Sequence, residues 1–251
     1  MKINVVSFNI RCGNDPDGNS IPERAPRLKK ILSDYDADII GFQEYTPLWE
    51  PFITEYYGED YEIFNMYRAE KERESAPMLW KKKSFQCIKR GYFWLSDTPE
   101  VSSKGWDELF DCYRICMWAV LKHRETGKTF CYMNTHFGFG DDGQIKSVEL
   151  INKYRKEISD FPTFITGDFN MTPSMPAYKR MTEYFTDVNA VTAKDMRTTY
   201  HGYHKKEVDE HIDYCFVDDS IIPISYEMIE TAVDGKYPSD HYGIISVIDI
   251  K

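Results

Sequence analysis

Apolar residues in this chain come in short runs, and several of those runs stop on a small set of polar residues. Val5–Phe8 runs into Asn9, residues 39–43 into Glu44, and 130–133 into Asn134-Thr135-His136. Residues 164–166 lead through Gly167 to Asp168 and, two positions on, Asn170. Apolar runs of this length bounded by polar and turn-forming residues read as buried strands. Further strand patterns cover residues 62–67, 76–80, Phe85–Trp94, 212–217, 225–230 and 243–248. A hairpin joins 112–121 to Thr129–His136 around Glu125-Thr126-Gly127-Lys128. Helical periodicity appears at 24–32 (with Pro26 in the first turn), 47–57, 144–158 and 176–184.

Helices and strands interleave, with hairpins among them and no repeat, linker or low-complexity tract. That pattern predicts one mixed α/β domain over residues 1–251. The two late runs invert the earlier order, because Asp213 begins one and Asp240-His241 precede the other. If these strands run antiparallel to the rest, their starts lie where the other strands end. One mouth then collects Asn9, Glu44, His136, Asp168, Asn170, Asp213, Asp240 and His241, at the strand ends where α/β proteins bind ligands. Gly167-Asp168-Phe169-Asn170 has two local readings. A continuing strand puts Asp168 and Asn170 on one face; a Gly-Asp turn does not require it.

Composition narrows the chemistry. The 251 residues are 42% hydrophobic and 15% aromatic, enough to fill a sizeable core. A net charge of −10 argues against gripping extended nucleic acid, which leans on Lys and Arg to neutralise phosphates. A small or short phosphorylated substrate fits better, since a local pocket can be cationic on an acidic protein. No apolar run is long enough to span a membrane. The chain enters its first strand without an apolar leader, so a cytoplasmic setting and a monomer are expected. Six scattered cysteines without Cys-x-x-Cys predict free thiols. Ser239-Asp240-His241 cannot form a serine-hydrolase relay, because consecutive residues do not reach that geometry. His201-Gly202-Tyr203-His204 reads as a polar loop, Cys112 and Cys116 as core residues on one strand face, and Lys81-Lys82-Lys83 as a solvated turn.

Six segments, in order, carry a resemblance: Ser7-Phe8-Asn9, Gly41-Phe42-Gln43-Glu44, Asn134-Thr135-His136, Gly167-Asp168-Phe169-Asn170, His211-Ile212-Asp213-Tyr214 and Ser239-Asp240-His241. Together they resemble the endonuclease/exonuclease/phosphatase superfamily, which includes pancreatic deoxyribonuclease, abasic-site endonucleases and inositol-polyphosphate phosphatases. The resemblance implies a four-layer α/β/β/α sandwich of two mixed sheets flanked by helices. It also implies a Mg²⁺-dependent phosphoesterase acting on a phosphodiester or phosphomonoester, a small or short diester favoured, with Mn²⁺ as a substitute. Glu44 would be the main metal ligand, with Asn9 and Asp240 near the same ion. Asp168 would activate the attacking water, Asn170 hold it, and His241, paired with Asp213, donate to a phosphate oxygen. His136 would bind phosphate or protonate the leaving oxygen. Phe93-Trp94-Leu95-Ser96 and Arg114-Ile115-Cys116 are similar to a bacterial branch. Arg114 is a candidate clamp for an anionic substrate arm, and Trp94 a candidate stacking surface. Phe137-Gly138-Phe139-Gly140 departs from the Asp-His that many relatives carry there, which withdraws any extra contact from that loop. Two alternatives stand beside this reading: a DNA-processing nuclease of the same fold, and a phospholigand-binding protein without turnover.

Overall fold

The structure is a computed structural model that describes residues 1–204 and 210–251. Its strands are β1 (Lys2–Asn9), β2 (Ile39–Gln43), β3 (Tyr61–Phe64), β4 (Met78–Lys81), β5 (Phe85–Trp94), β6 (Ile115–His123), β7 (Thr129–His136), β8 (Thr163–Asp168), β9 (Thr186–Asp187), β10 (Asp213–Val217), β11 (Ile221–Ile229) and β12 (Gly243–Ile250). The helices are α1 (Ile21–Leu32), α2 (Glu50–Tyr57), α3 (Asp141–Ile158), α4 (Pro176–Thr182) and α5 (Val188–Val191).

The strands form two six-stranded sheets, ordered β11-β12-β1-β2-β4-β3 and β5-β6-β7-β8-β10-β9. In each, one parallel pair (β1 with β2, β7 with β8) sits among antiparallel neighbours. The continuous apolar runs follow from burial on both faces. In β1, Ile3 and Val5 point into the core between the sheets with Met117, Tyr132 and Phe164. Val6 and Phe8 point the other way, against Leu28 and Ile31 of α1. Likewise Met133 and Ile165 of the second sheet pack on Val148 and Ile151 of α3. Helix, sheet, sheet and helix therefore stack as four layers around three cores.

A polar bolt crosses the central core. Asn134, fully buried in β7, donates Nδ2–H to the carbonyls of Phe42, Ala76 and Pro77 in and beside the other sheet. Its Oδ1 accepts from Gln43 Nε2 (2.9 Å) and Thr166 Oγ1 (3.0 Å). Every capacity of the amide is used, so the sheets have a defined alignment and not merely apolar adhesion. Gly41 makes room for this contact, since a Cβ there would collide with the Tyr132 hydroxyl and the Asn134 amide.

Several boundaries differ from the sequence expectation. α1 starts three residues earlier than expected, because Pro22 rather than Pro26 takes the first turn. β9 and α5 are too short to carry periodicity. Cys112 lies ahead of β6, half-exposed, and does not share a strand face with Cys116. Lys81 is not a solvated turn residue: it ends β4, buried, and pairs with Asp36 and with Asp38 (3.2 Å).

Candidate active site

Sheet register builds the first half of the site. His136 at the end of β7 pairs with Asp168 at the end of β8, and Asp168 with Asp213 at the start of β10. Three chemical side chains thus stand abreast on neighbouring strands because β10 runs antiparallel. Beyond Asp168 the chain turns. Asn170 takes a left-handed φ of 48°, and its N–H donates to Asp168 Oδ1 (2.9 Å). The strand reading therefore holds up to Asp168 and the turn reading beyond it. The turn still brings the carboxamide inward: Asn170 Nδ2 lies 3.1 Å from His136 Nε2 and donates to the Phe137 carbonyl.

The first sheet supplies the other half. Glu44 follows β2 with φ of 59°, a backbone state that costs a non-glycine residue on the order of 1 kcal/mol and clusters at functional positions. Asn9 joins the halves, its Nδ2 donating to Glu44 Oε1 (3.1 Å) and Asp168 Oδ2 (2.9 Å). The segment before β12 brings Asp240 and His241. His241 Nδ1 donates to Asp213 Oδ2 (2.9 Å), which turns Nε2 toward Asp168 Oδ2, 3.8 Å away. Asp213 is aligned in turn by Thr199, whose hydroxyl accepts from the backbone N–H groups of Ile212 and Asp213. All eight residues expected at one mouth belong to this connected cluster or to the segments that build it.

The two substrate-arm candidates are engaged otherwise. Arg114 is buried, with Nε and NH2 both bonded to Asp107 Oδ2 (3.1 and 3.0 Å). Trp94 packs on the inter-sheet core beside Tyr92 and donates its indole N–H to the Arg68 carbonyl (2.8 Å).

Sequence reasoning missed a supporting ring. Glu74, bonded to Arg68 (2.6 Å), stands 3.8 Å from His136 Nδ1, a buried nitrogen with no hydrogen-bond partner. Arg24 is fully buried and donates to the carbonyls of Ile10, Arg11, Gly13, Asn19 and Pro238. It thereby ties the loop after Asn9 to the segment carrying Asp240. Arg11, left-handed at φ 60°, grips Asp15 through Nε and NH2 (3.0 and 3.2 Å). The detectable signal for Glu74 is direction: β4 runs antiparallel to β2, so the residues just before it share the mouth with Glu44.

Charge is divided unevenly across the cluster. Burial, with Asp213 alongside, pushes the Asp168 carboxyl up to about 7 despite His241 and its own hydrogen bonds. Burial opposes charge on His241, but Asp213 and Asp168 outweigh it and raise the imidazole to about 10. His136 goes the other way: burial and the Arg114 charge hold it well below the usual histidine range. Burial raises Glu74 to about 7 and raises Asp240 as well. Glu44 is held low although burial opposes it. Since His136 is neutral at pH 7, the durable causes are the Cys12 N–H on Oε2 (2.8 Å) and the His241 charge. The result sets a carboxylate held low (Glu44), two carboxyls poised near neutrality (Asp168 and Glu74) and an imidazolium (His241) in one cluster. Such a separation is what acid–base chemistry at neutral pH requires.

The oxygen donors suit a hard divalent cation. Glu44 Oε2 and Asp240 Oδ2 already share one positive group, the Arg11 guanidinium, 3.7 Å from each. Donor atoms of Asp168, Asp213 and His241 also come within 4.8 Å of one another. An imidazolium that donates to Asp213 is a poor metal ligand, however, so Glu44 and Asp240 are the better candidates.

Comparison with known proteins bears on the fold and the family. A structure of an endonuclease/exonuclease/phosphatase from Bacteroides vulgatus superposes with a TM-score of 0.90 at 27% identity, over 100% of both chains. The mannosyl-6-phosphatase of Bacteroides thetaiotaomicron superposes at 0.84 with 25% identity, over 99% of each. A protein of Acanthamoeba polyphaga mimivirus is 28% identical over 179 residues, which is 66% of this chain and 66% of that protein, so the match spans just under two thirds of its length. The profile of the Endonuclease/Exonuclease/phosphatase family matches residues 6–241. With two mixed sheets stacked between helices and a carboxylate–histidine cluster at their common edge, the chain belongs to the endonuclease/exonuclease/phosphatase family of phosphoester hydrolases.

Proposed function

We propose that the chain is a Mg²⁺- or Mn²⁺-dependent phosphoesterase that cleaves a small phosphorylated substrate by in-line attack of a water activated by Asp168. The carrying observation is the Asp168 carboxylate, poised near neutrality and ringed by Asn9, Asn170, His136 and His241. Above pH 7 Asp168 is ionised and takes a proton from water, while Asn170 fixes where that water sits. His241, charged and braced by Asp213, donates Nε2–H to a phosphate oxygen as charge builds there. Neutral His136 hydrogen-bonds the phosphate, with Glu74 behind its Nδ1. A divalent ion held by Glu44 and Asp240, with Asn9 beside them, would supply charge neutralisation and stabilise the leaving oxygen.

A similar structure of 25% identity is a mannosyl-6-phosphatase, which favours a small phosphorylated substrate over DNA. The formal charge of −10 points the same way. Cytoplasmic action by a monomer goes with this reading. The described helices include none long and apolar enough to cross a membrane.

The test is hydrolysis of a panel of phosphomonoesters, phosphodiesters and a short oligonucleotide, with Mg²⁺, with Mn²⁺ and with chelator, beside Asp168→Ala. Turnover that needs the ion and is lost in the variant supports the mechanism. Preference for the oligonucleotide would favour the nuclease alternative. Activity that survives both chelator and Asp168→Ala would refute the reading.

A further inference from the structure

Beside His241 the fold carries an aromatic platform that phosphate hydrolysis does not by itself require. Tyr200 lies against the His241 ring (centroids 5.0 Å apart), and burial, with the Asp240 and Glu210 charges nearby, raises the pKa of its phenol. Gly202, Tyr203 and His204 follow with φ of 54°, 55° and 58°, three consecutive left-handed residues. Such a turn is expensive for the two that bear side chains. It is held by the N–H groups of His201 and Gly202, which both donate to the Asp240 carbonyl (2.9 and 3.0 Å), and by His204 N–H on the His201 carbonyl (2.7 Å).

The strained turn fixes the rings. His201 is 3% exposed with neither ring nitrogen bonded, and it stacks on His204 at 4.8 Å with Tyr242 and Tyr237 around it. Burial lowers its pKa to about 3, so the platform is uncharged there. His204 is exposed, while Tyr200, Tyr203 and Tyr237 are half-buried. At the inner edge Tyr203 Oη reaches Asp15 Oδ2 (3.5 Å), the carboxylate that holds Arg11 in place over Glu44 and Asp240.

Resting on the phosphoesterase reading, we infer that Tyr200, Tyr203, His204 and Tyr237, edged by the Arg11–Asp15 pair, form the subsite for the alcohol half of the substrate, and that this alcohol is a hexose-type sugar ring and not a nucleoside. A sugar offers an apolar C–H face to aromatic rings and a rim of hydroxyls. Vicinal hydroxyls donate to a carboxylate and accept from a guanidinium, which is the pair found at the edge. Small-molecule sites combine aromatic lining with a few placed polar groups. A nucleic-acid strand would ask for cations along its backbone, whereas this edge presents Asp15 and Asp240.

The inference is tested by binding, so that turnover is not needed. Asp168→Asn protein in Mg²⁺ is titrated calorimetrically with glucose 6-phosphate, mannose 6-phosphate, glycerol 1-phosphate and adenosine 5′-monophosphate. The expected result is at least one hexose phosphate binding ten-fold or more tighter than glycerol 1-phosphate. Adding Tyr203→Ala should remove that advantage, and Tyr203→Phe should retain most of it. Equal binding of hexose and glycerol phosphates, no binding of either hexose phosphate, or a Tyr203-dependent preference for the nucleotide would overturn the subsite. So would a Tyr203→Ala loss shared equally by all ligands, which marks a structural role. If the wild type hydrolyses no phosphoester while this binding pattern holds, the phosphoesterase reading fails and the sugar subsite stands.

Discussion

Replacing the proposed water-activating residue should stabilise the protein at high pH. Asp168 ionises near 3.8 in the unfolded chain and at about 7 when folded. Between those values the native state keeps a proton that the unfolded state has lost, so stability falls as pH rises through the window and levels off above 7. At pH 5.5 this burden is about 2 kcal/mol, and at pH 8.5 about 4 kcal/mol, at 1.36 kcal/mol for each pH unit. Asp168→Asn removes the titration. It also turns an amide NH₂ toward the Asn9 Nδ2 that now donates to Oδ2, a donor-against-donor contact costing about 1–3 kcal/mol. That cost does not depend on pH. The clean observable is therefore the change in the difference between variant and wild type. Relative to wild type, the variant should gain about 2 kcal/mol between pH 5.5 and 8.5. Urea titrations of both proteins in chelator at the two pH values measure it. At high pH the variant should also melt several degrees later, at about 2–4 °C for each kcal/mol in a chain of this size. A relative stability that stays flat or falls as pH rises would refute an Asp168 poised near neutrality.

Three further outcomes are expected. With a working substrate, kcat/KM should climb as pH passes about 7, where Asp168 becomes a base, and decline near 10, where His241 loses its proton. A profile flat from pH 6 to 8 would contradict this assignment. Glu44→Gln should weaken Mn²⁺ binding ten-fold or more by calorimetry or electron paramagnetic resonance, while its amide oxygen still accepts from the Cys12 N–H. Gly41→Ala should lower urea-measured stability by about 1–3 kcal/mol, because the added methyl group drives into Tyr132 and Asn134.

What the sequence made legible followed from strand direction. Runs ending in Asn9, Glu44, His136 and Asp168, and runs beginning at Asp213 and after Asp240-His241, converge because β10 and β12 are antiparallel to β8 and β1. The same logic reaches Glu74, which precedes β4, but Glu72-Arg73-Glu74 resembles any solvated charged loop until Arg68 is seen to pair with it. Arg11, Asp15 and Arg24 were hidden for a similar reason. Their partners are backbone carbonyls and loop carboxylates, and such contacts leave no periodic trace. Asn134 ends an apolar run as His136 does, yet its amide is spent binding the two sheets together, a role that strand patterning does not signal. Asn170 reaches the cluster through a turn, since local hydrogen bonding to Asp168 ends the strand.

The strand order has a consequence for how the molecule comes into being. All six strands of the second sheet come from one unbroken stretch, β5 to β10, inserted into a first sheet whose β1 must wait for β12 to cover its open side. During synthesis the second sheet can therefore close while the first is still missing its C-terminal strands. Pairing β1 with β12 joins residues nearly the whole chain apart, the kind of contact that forms late and slowly. Asp240 and His241 are the last of the site residues to be translated. A nascent or prematurely terminated chain can thus hold Asp168, Asn170 and Asp213 in place without the imidazole that answers them. Any hydrolysis that uses them waits for the segment carrying Asp240 and His241.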